Sequence, residues 1–285
     1  LPMSDELDEE DIYIPGGWTT VGGDAAAFGG LERRRTWVNG FVIKRYPVTN
    51  LEYLSFLNEL NAAGRGDEAV MWAPREMGGS LDTAGAMIYG QRSNGSFFLQ
   101  PDADGDIWQP DWPVVCIDWW SARAYAEWVS EKTGLRWRLP KEFEWEKAAR
   151  GVDGRSYPWG DFLDPSWSHT RDSHRGRILP AAVGSYVVDT SVYGVQDLGG
   201  NVKEWCVDTF DKDGPKASDS GALKPEDPAR TTLRFRAAKA ELHPAATAKG
   251  GSFYSDSDRV RSASRFRAVT NNREPIHGFR LARSF

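Results

Sequence analysis

The chain has 285 residues and carries 35 basic against 41 acidic side chains, a net charge of −6. With 40% hydrophobic and 27% charged residues it is globular rather than disordered or fibrous. The acidic balance argues against non-specific nucleic-acid binding, which needs a basic face. No apolar run reaches the roughly 18 residues of a membrane helix.

Residues 1–11 hold six acids (Asp5, Glu6, Asp8, Glu9, Glu10 and Asp11) and no base. They read as an acidic linker or tail, and they lack the basic and apolar regions of a signal peptide. The chain opens on Leu1 rather than Met, so a further domain upstream is expected. Ile12 to Val48 reads as strands and turns, with Asn39-Gly40 as a hairpin signal between TWV and FVI. The first helix is expected from Thr49, which forms a capping box with Glu52. Leu51, Leu54, Phe56, Leu57 and Leu60 follow, and Gly64 stops it.

Residues 65–113 are irregular, with a hairpin over 86–99 turning at Ser93-Asn94-Gly95. Asp102, Asp104 and Asp106 alternate as in a calcium loop. An EF-hand needs Gly at its sixth place and Glu at its twelfth. Here Gly105 is fourth and Pro113 twelfth, so a solvated turn is the reading. A second helix is expected from a Ser121 cap to Gly134, and a third from Pro140 to Gly151. Beyond 151 the chain reads as short strands and loops, with a polar insertion over 209–248. Cys116 and Cys206 cannot make a disulfide framework and suit a reducing, cytoplasmic compartment. Thirteen Trp beside 29 Gly and 16 Pro predict short elements packed on large aromatics. These patterns alone lead to an α+β fold.

The order of motifs is more specific. It runs PVTNLEYLSFL, WPVVCIDWWSARAYAEW, RWRLPKEFEWEKAARG, YPWG, YGVQDLGGNVKEWC, KGGSF, RSASR and GFRLAR. Over residues 12–285 this series resembles the formylglycine-generating-enzyme (sulfatase-modifying factor) family. The resemblance implies a C-type-lectin-type fold: a small antiparallel or mixed sheet, about three helices and much loop. It also implies one of three functions.

The first is copper-dependent oxidation of a substrate cysteine, which needs two thiolates because soft sulfur selects Cu(I). The positions matching the family's cysteine pair are Ser255 and Val260, and no Cys follows Cys206. The second is non-haem-iron sulfoxide synthesis, which needs a histidine set. The chain offers only His169, His174, His243 and His277, in loop-like contexts. No nucleophile-elbow motif supports a serine hydrolase either.

The third is binding without catalysis, as in variable proteins of diversity-generating retroelements and in domains attached to bacterial serine/threonine kinases. Framework-like residues (Gly250 to Phe253, Arg261 to Ala263, Arg265, Arg273, and Gly278 to Ala282) alternate with Tyr254, Ser255, Asp256, Ser257, Asp258, Ser264, Phe266, Arg267, Ala268, Asn272, Glu274, Pro275, Ile276 and His277. All of these except Glu274 are reachable by substitution of adenines in asparagine codons. The expectation is a non-catalytic protein whose region 250–285 displays this variable face to a protein or other macromolecule. The alternatives are a sensor domain of a kinase and an oxidoreductase. The resemblance further implies a structural calcium held by the side chains of Asp197 and Glu204 and the carbonyls of Gly200 and Val202.

Overall fold

The computed structural model describes residues 7–77, 84–102, 104–215 and 245–284. In chain order the elements begin with β1 (Asp11–Ile14), β2 (Gly17–Val21), β3 (Arg34–Val38), β4 (Phe41–Lys44), α1 (Asn50–Ala62) and α2 (Gly66–Trp72). Four short strands follow: β5 (Arg75–Met77), β6 (Ala84–Met87), β7 (Tyr89–Gln91) and β8 (Phe97–Leu99). Then come α3 (Trp119–Thr133), β9 (Trp137–Arg138) and α4 (Glu142–Arg150). The C-terminal part holds β10 (Lys203–Thr209), β11 (Ala245–Lys249), β12 (Arg265–Val269), β13 (His277–Gly278) and β14 (Ala282–Ser284).

Two four-stranded sheets organise the chain, in the orders β1-β4-β14-β9 and β12-β11-β10-β13. The first is antiparallel and joins the chain's beginning to its end, with Ile14 opposite Phe41 and Ala282 opposite both Ile43 and Arg138. The second is mixed, because β13 runs parallel to β10. This is the expected α+β arrangement.

Helix α1 forms where the capping box predicts. The Glu52 amide donates to Thr49 Oγ1, and the Thr49 amide donates to Glu52 Oε2 at 2.7 Å. Tyr53, Phe56, Leu57 and Leu60 make one buried face at spacings of three and four. Helix α3 starts two residues before the expected cap. Asp118 is its N-cap, and Asp118 Oδ1 accepts from both the amide and the hydroxyl of Ser121. Many of the abundant tryptophans pack inside as expected, whereas Trp18 and Trp37 are more than half exposed. Trp119, Trp145 and Trp205 are fully buried. Trp119 Nε1 donates to the Cys206 carbonyl, and Trp145 Nε1 to Glu204.

Other expectations change. Asn39-Gly40 makes no hairpin, because β3 pairs back to β2 while β4 joins β1 and β14. Neither residue takes the left-handed φ of a two-residue turn, so the chain passes there from one sheet to another. Part of the acidic start belongs to the domain. Asp11 opens β1, Leu7 packs on the core, and Lys44 binds Asp8 and Asp11. The 86–99 hairpin forms as β7 and β8. Asp102 holds its own turn: Oδ1 accepts the amides of Asp104 and Asp106, and Oδ2 accepts the Trp108 indole. The end of the stretch expected as an insertion is a core strand. Ala245–Lys249 is buried at every position, because alanines fit between a sheet and its cover.

Candidate functional site

Strand β10 generates the site by its alternation. Successive side chains of a strand point to opposite faces. Trp205 and Val207 join the larger core with Ala246, Ala248 and Ala268. Glu204, Cys206 and Asp208 turn toward α4, where charged groups replace apolar packing. Arg265 donates to Glu142, Lys249 Nζ lies 3.0 Å from Glu146, and Arg280 forks onto Glu204 with two contacts of 2.7 Å. Both partners of each pair are buried. The framework arginines Arg265 and Arg280 therefore hold the fold together.

Lys203, on the Trp205 face, is different. Its Nζ donates to Ser255 Oγ at 3.0 Å and Ser252 Oγ at 3.3 Å. It also lies 4.7 Å from the centre of the Phe266 ring. Lys203 is buried and makes no ion pair among the described residues. Burial pushes its amine down to about 8; Glu274 opposes that shift and Arg259 adds to it. His277, the β13 residue opposite Lys203, lies tilted against Trp205 with ring centres 4.8 Å apart. Burial first, and then Lys203, push its imidazole down to about 3, so it is neutral.

Around this buried centre lies an aromatic and charged rim. Phe266 stacks on Phe28 at 5.2 Å, and Arg259 lies over Phe28 at 5.3 Å. Arg171 pairs with Asp256, and its guanidinium lies 6.0 Å from the Tyr254 ring centre. Asn272 Nδ2 donates to Glu274. Aromatic and arginine side chains of this kind dominate binding hot spots.

The residues expected on a variable face divide by burial. Tyr254 is 57% exposed, and Arg267 and Pro275 are also exposed. Asp256, Phe266, Asn272, Glu274 and Ile276 are half-buried. Ser255, Ser264, Ala268 and His277 are inside. Ser255 caps Lys203, Ser264 Oγ accepts the Phe28 amide, Ala268 packs in the core and His277 covers Trp205. Their placement is structural, since free replacement there would break a packed or hydrogen-bonded contact. Ser257 and Asp258 lie in a single 3-10 turn, and their side chains lie outside the described residues. Lys203, Arg171, Arg259 and Phe28 were not singled out from the sequence. The usable signal for Lys203 was a lone lysine inside the apolar strand pattern NVKEWCV.

The positions matched to the cysteine pair, and the two cysteines themselves, are all occupied in packing or hydrogen bonding or buried. Val260 is fully buried, Ser255 is bound to Lys203, and both cysteines are free and buried elsewhere. Burial pushes the Cys116 thiol up to about 12 and raises Cys206 well above its ordinary value. A histidine set for iron is also missing among the described residues. His169 donates from Nε2 to the Leu179 carbonyl and accepts the Tyr186 hydroxyl at Nδ1, and burial pushes it down to about 4. His174 lies against it, His277 is sealed under Trp205, and His243 lies outside the described residues. No three His, Cys, Asp or Glu side chains group to hold a metal among the described residues.

The loop implied for calcium fits that ion only in part. Asp197, at the left-handed φ of 57°, is buried and accepts one amide, that of Gly184. Burial and the neighbouring Asp189 push its carboxyl up to about 7. A cation beside it would reverse that cost. Glu204 does not fit, because Arg280 already occupies both of its oxygens. The Gly200 carbonyl accepts the Val202 amide, and Val202 itself is buried.

Residues 2–285 match the sulfatase-modifying factor enzyme 1-like domain. The chain is 30% identical to the formylglycine-generating enzyme of Thermomonospora curvata, over 97% of this chain and 94% of that protein. It is 28% identical to the serine/threonine-protein kinase Pkn1 of Chlamydia trachomatis over 96% of its own length, but spans only 38% of that protein. It is 29% identical to the inactive Cα-formylglycine-generating enzyme 2 of Mus musculus, over 74% of this chain and 72% of that one. Among solved structures, PvdO from Pseudomonas aeruginosa superposes with a TM-score of 0.66 at 24% identity, over 96% and 94% of the two chains. Treponema denticola variable protein 1 gives 0.61 at 18% identity, over 96% and 95%. These likenesses establish the C-type-lectin-type fold of the formylglycine-generating-enzyme kind.

Proposed function

The chain belongs to the sulfatase-modifying factor enzyme 1-like domain family, and from that premise we propose that it is a non-catalytic, ligand-binding member. Relatives of this family are described both as formylglycine-generating enzymes and as inactive. The observation that carries the reading is the pair Ser255 and Lys203. Where the resemblance puts the first cysteine of the oxidases, Ser255 Oγ is tied to Lys203 Nζ at 3.0 Å. A neutral hydroxyl bonded to an amine supplies no soft ligand for Cu(I).

The recognition surface is the solvent-reached part of the C-terminal region, with exposed Tyr254, Arg259 and Arg267 and half-buried Asp256, Phe266 and Glu274, joined by Arg171 from a neighbouring loop. Its ligand is a protein or other macromolecule, met on loops borne by a rigid sheet. If the face is diversified, variation belongs at these exposed positions and not at Ser255, Ser264, Ala268 or His277. Two buried free thiols suit a reducing, cytoplasmic location. No helix among the described residues is long and apolar enough to cross a membrane. A structural calcium ion near Asp197 is retained as part of this reading, supported by that carboxylate alone.

The test has two parts. Copper-loaded protein mixed with a cysteine peptide should consume no oxygen above the copper control; steady turnover would overturn the reading. Sequencing the locus should then find a near-copy of codons 250–285 that differs mainly at adenines. A kinase frame in place of that copy would favour the second reading, a regulatory domain, which rests on the likeness to Pkn1.

A further inference from the structure

A second concave surface lies away from Lys203 and shares no residue with it. It is an open cleft of about 910 Å³ between the start of β1, α1 and α3, within the size range of small-molecule sites. Tyr125, Trp128, Trp137, Val48 and Leu281 line it with apolar and aromatic surface.

Its charged rim is not neutral. Two lysines border the cleft, and both are already satisfied. Lys44 is held by Asp8 and Asp11, and Lys132 Nζ lies 2.6 Å from Glu59. Glu10, Glu52 and Asp111 also line it and make no ion pair among the described residues. Glu10 and Glu52 stand close enough to repel, and burial together with that repulsion raises the Glu10 carboxyl. Trp137, 6% exposed, forms the buried part of the wall.

We propose that this cleft binds a small organic cation. The ammonium or guanidinium group sits at the Glu10–Glu52–Asp111 rim. The apolar body, aromatic or branched, lies on Tyr125, Trp128 and Leu281. Aromatic faces attract cations, and Lys132 Nζ already rests 4.8 Å from the Trp128 ring centre, so the site has a built-in competitor.

The test compares two probes of one shape and opposite charge by isothermal titration. Phenylalaninamide carries an ammonium, a ring and a carbonyl; N-acetylphenylalanine carries a carboxylate instead. Phenylalaninamide should bind saturably and at least about tenfold more tightly than the anion. Glu10→Gln should weaken it several-fold without lowering the melting temperature appreciably; Trp128→Ala should weaken it too, while also lowering the melting temperature through its lost packing on Phe56 and Tyr125. Lys132→Gln, which removes the competitor, should strengthen it. Equal binding of both probes, no saturable binding of phenylalaninamide, or binding indifferent to Glu10→Gln and Trp128→Ala would each overturn the proposal.

Discussion

Lys203 Nζ and Ser255 Oγ meet at 3.0 Å on the inner side of the second sheet, in a contact that contains no carboxylate. A buried ammonium without a counter-ion keeps its hydrogen bonds but loses much of its hydration. That relationship sets the chemistry of the site and gives the first prediction.

Burial lowers the Lys203 amine from its ordinary 10.5 to about 8 in the folded protein. Below pH 8 both folded and unfolded chains hold the proton, and the full desolvation cost is present. Between 8 and 10.5 the unfolded chain holds more protons, so stability rises with pH. Lys203→Met should therefore exceed the wild type in stability at pH 7. The gap should shrink by about 3 kcal/mol between pH 8 and 10.5. Urea unfolding of both proteins across that range measures it, and a pH-independent gap would count against the assignment.

Burial also predicts which C-terminal positions tolerate change. Tyr254→Ser and Arg267→Ser should alter unfolding free energy by no more than about 0.5 kcal/mol. Ala268→Asp puts an unpaired charge into the core at a site only 5% exposed, and should cost about 3 kcal/mol or more. Similar losses at both kinds of site would dissolve the division between rim and core.

The charged layer under α4 should be unforgiving of partial deletion. Arg265→Met leaves Glu142 buried without its cation, at a cost of about 3–5 kcal/mol. Adding Glu142→Leu should return part of that loss, because the stranded charge goes with it. A double variant less stable than the sum of the two single changes would argue that the pair is not coupled in this way.

Thiol reactivity is a direct check on the proposed non-catalytic reading. Cys116 and Cys206 are buried and their thiols are held in the neutral form. A thiol-reactive disulfide reagent should label neither in the native protein and both in urea. Rapid labelling of either native thiol would expose a site that this arrangement closes.

Calcium offers a fifth test. With Asp197 pushed up to about 7, the carboxylate is free for a cation at pH 8 and increasingly protonated below 7. Calcium in large excess should raise the melting temperature at pH 8, by the equivalent of about 2.7 kcal/mol at a hundredfold excess over its dissociation constant. The effect should fade toward pH 6 and vanish in Asp197→Asn. No change at pH 8 would remove calcium from the account of this loop.

The sequence by itself determined the local elements and the family. Thr49 with Glu52 declared a helix start through two short-range hydrogen bonds, and the tryptophan count declared an aromatic core. The order of motifs carried the fold, because residues in those motifs such as Arg280 and Trp205 make buried contacts that hold it together. It also carried the absence of thiols at 255 and 260. Asn39-Gly40 misled because a turn dipeptide does not say which strand comes next to which. Only the tertiary structure decided that Glu204 faces Arg280 while its neighbour Lys203 faces Ser255, fifty-two residues later. It alone divided the C-terminal stretch into rim and core, and brought Glu10 and Glu52 to the cleft beside Trp137. The physical reason is one of range. Caps and helical periodicity act over three or four residues. Burial, desolvation and the pairing of charges depend on what distant segments bring into contact.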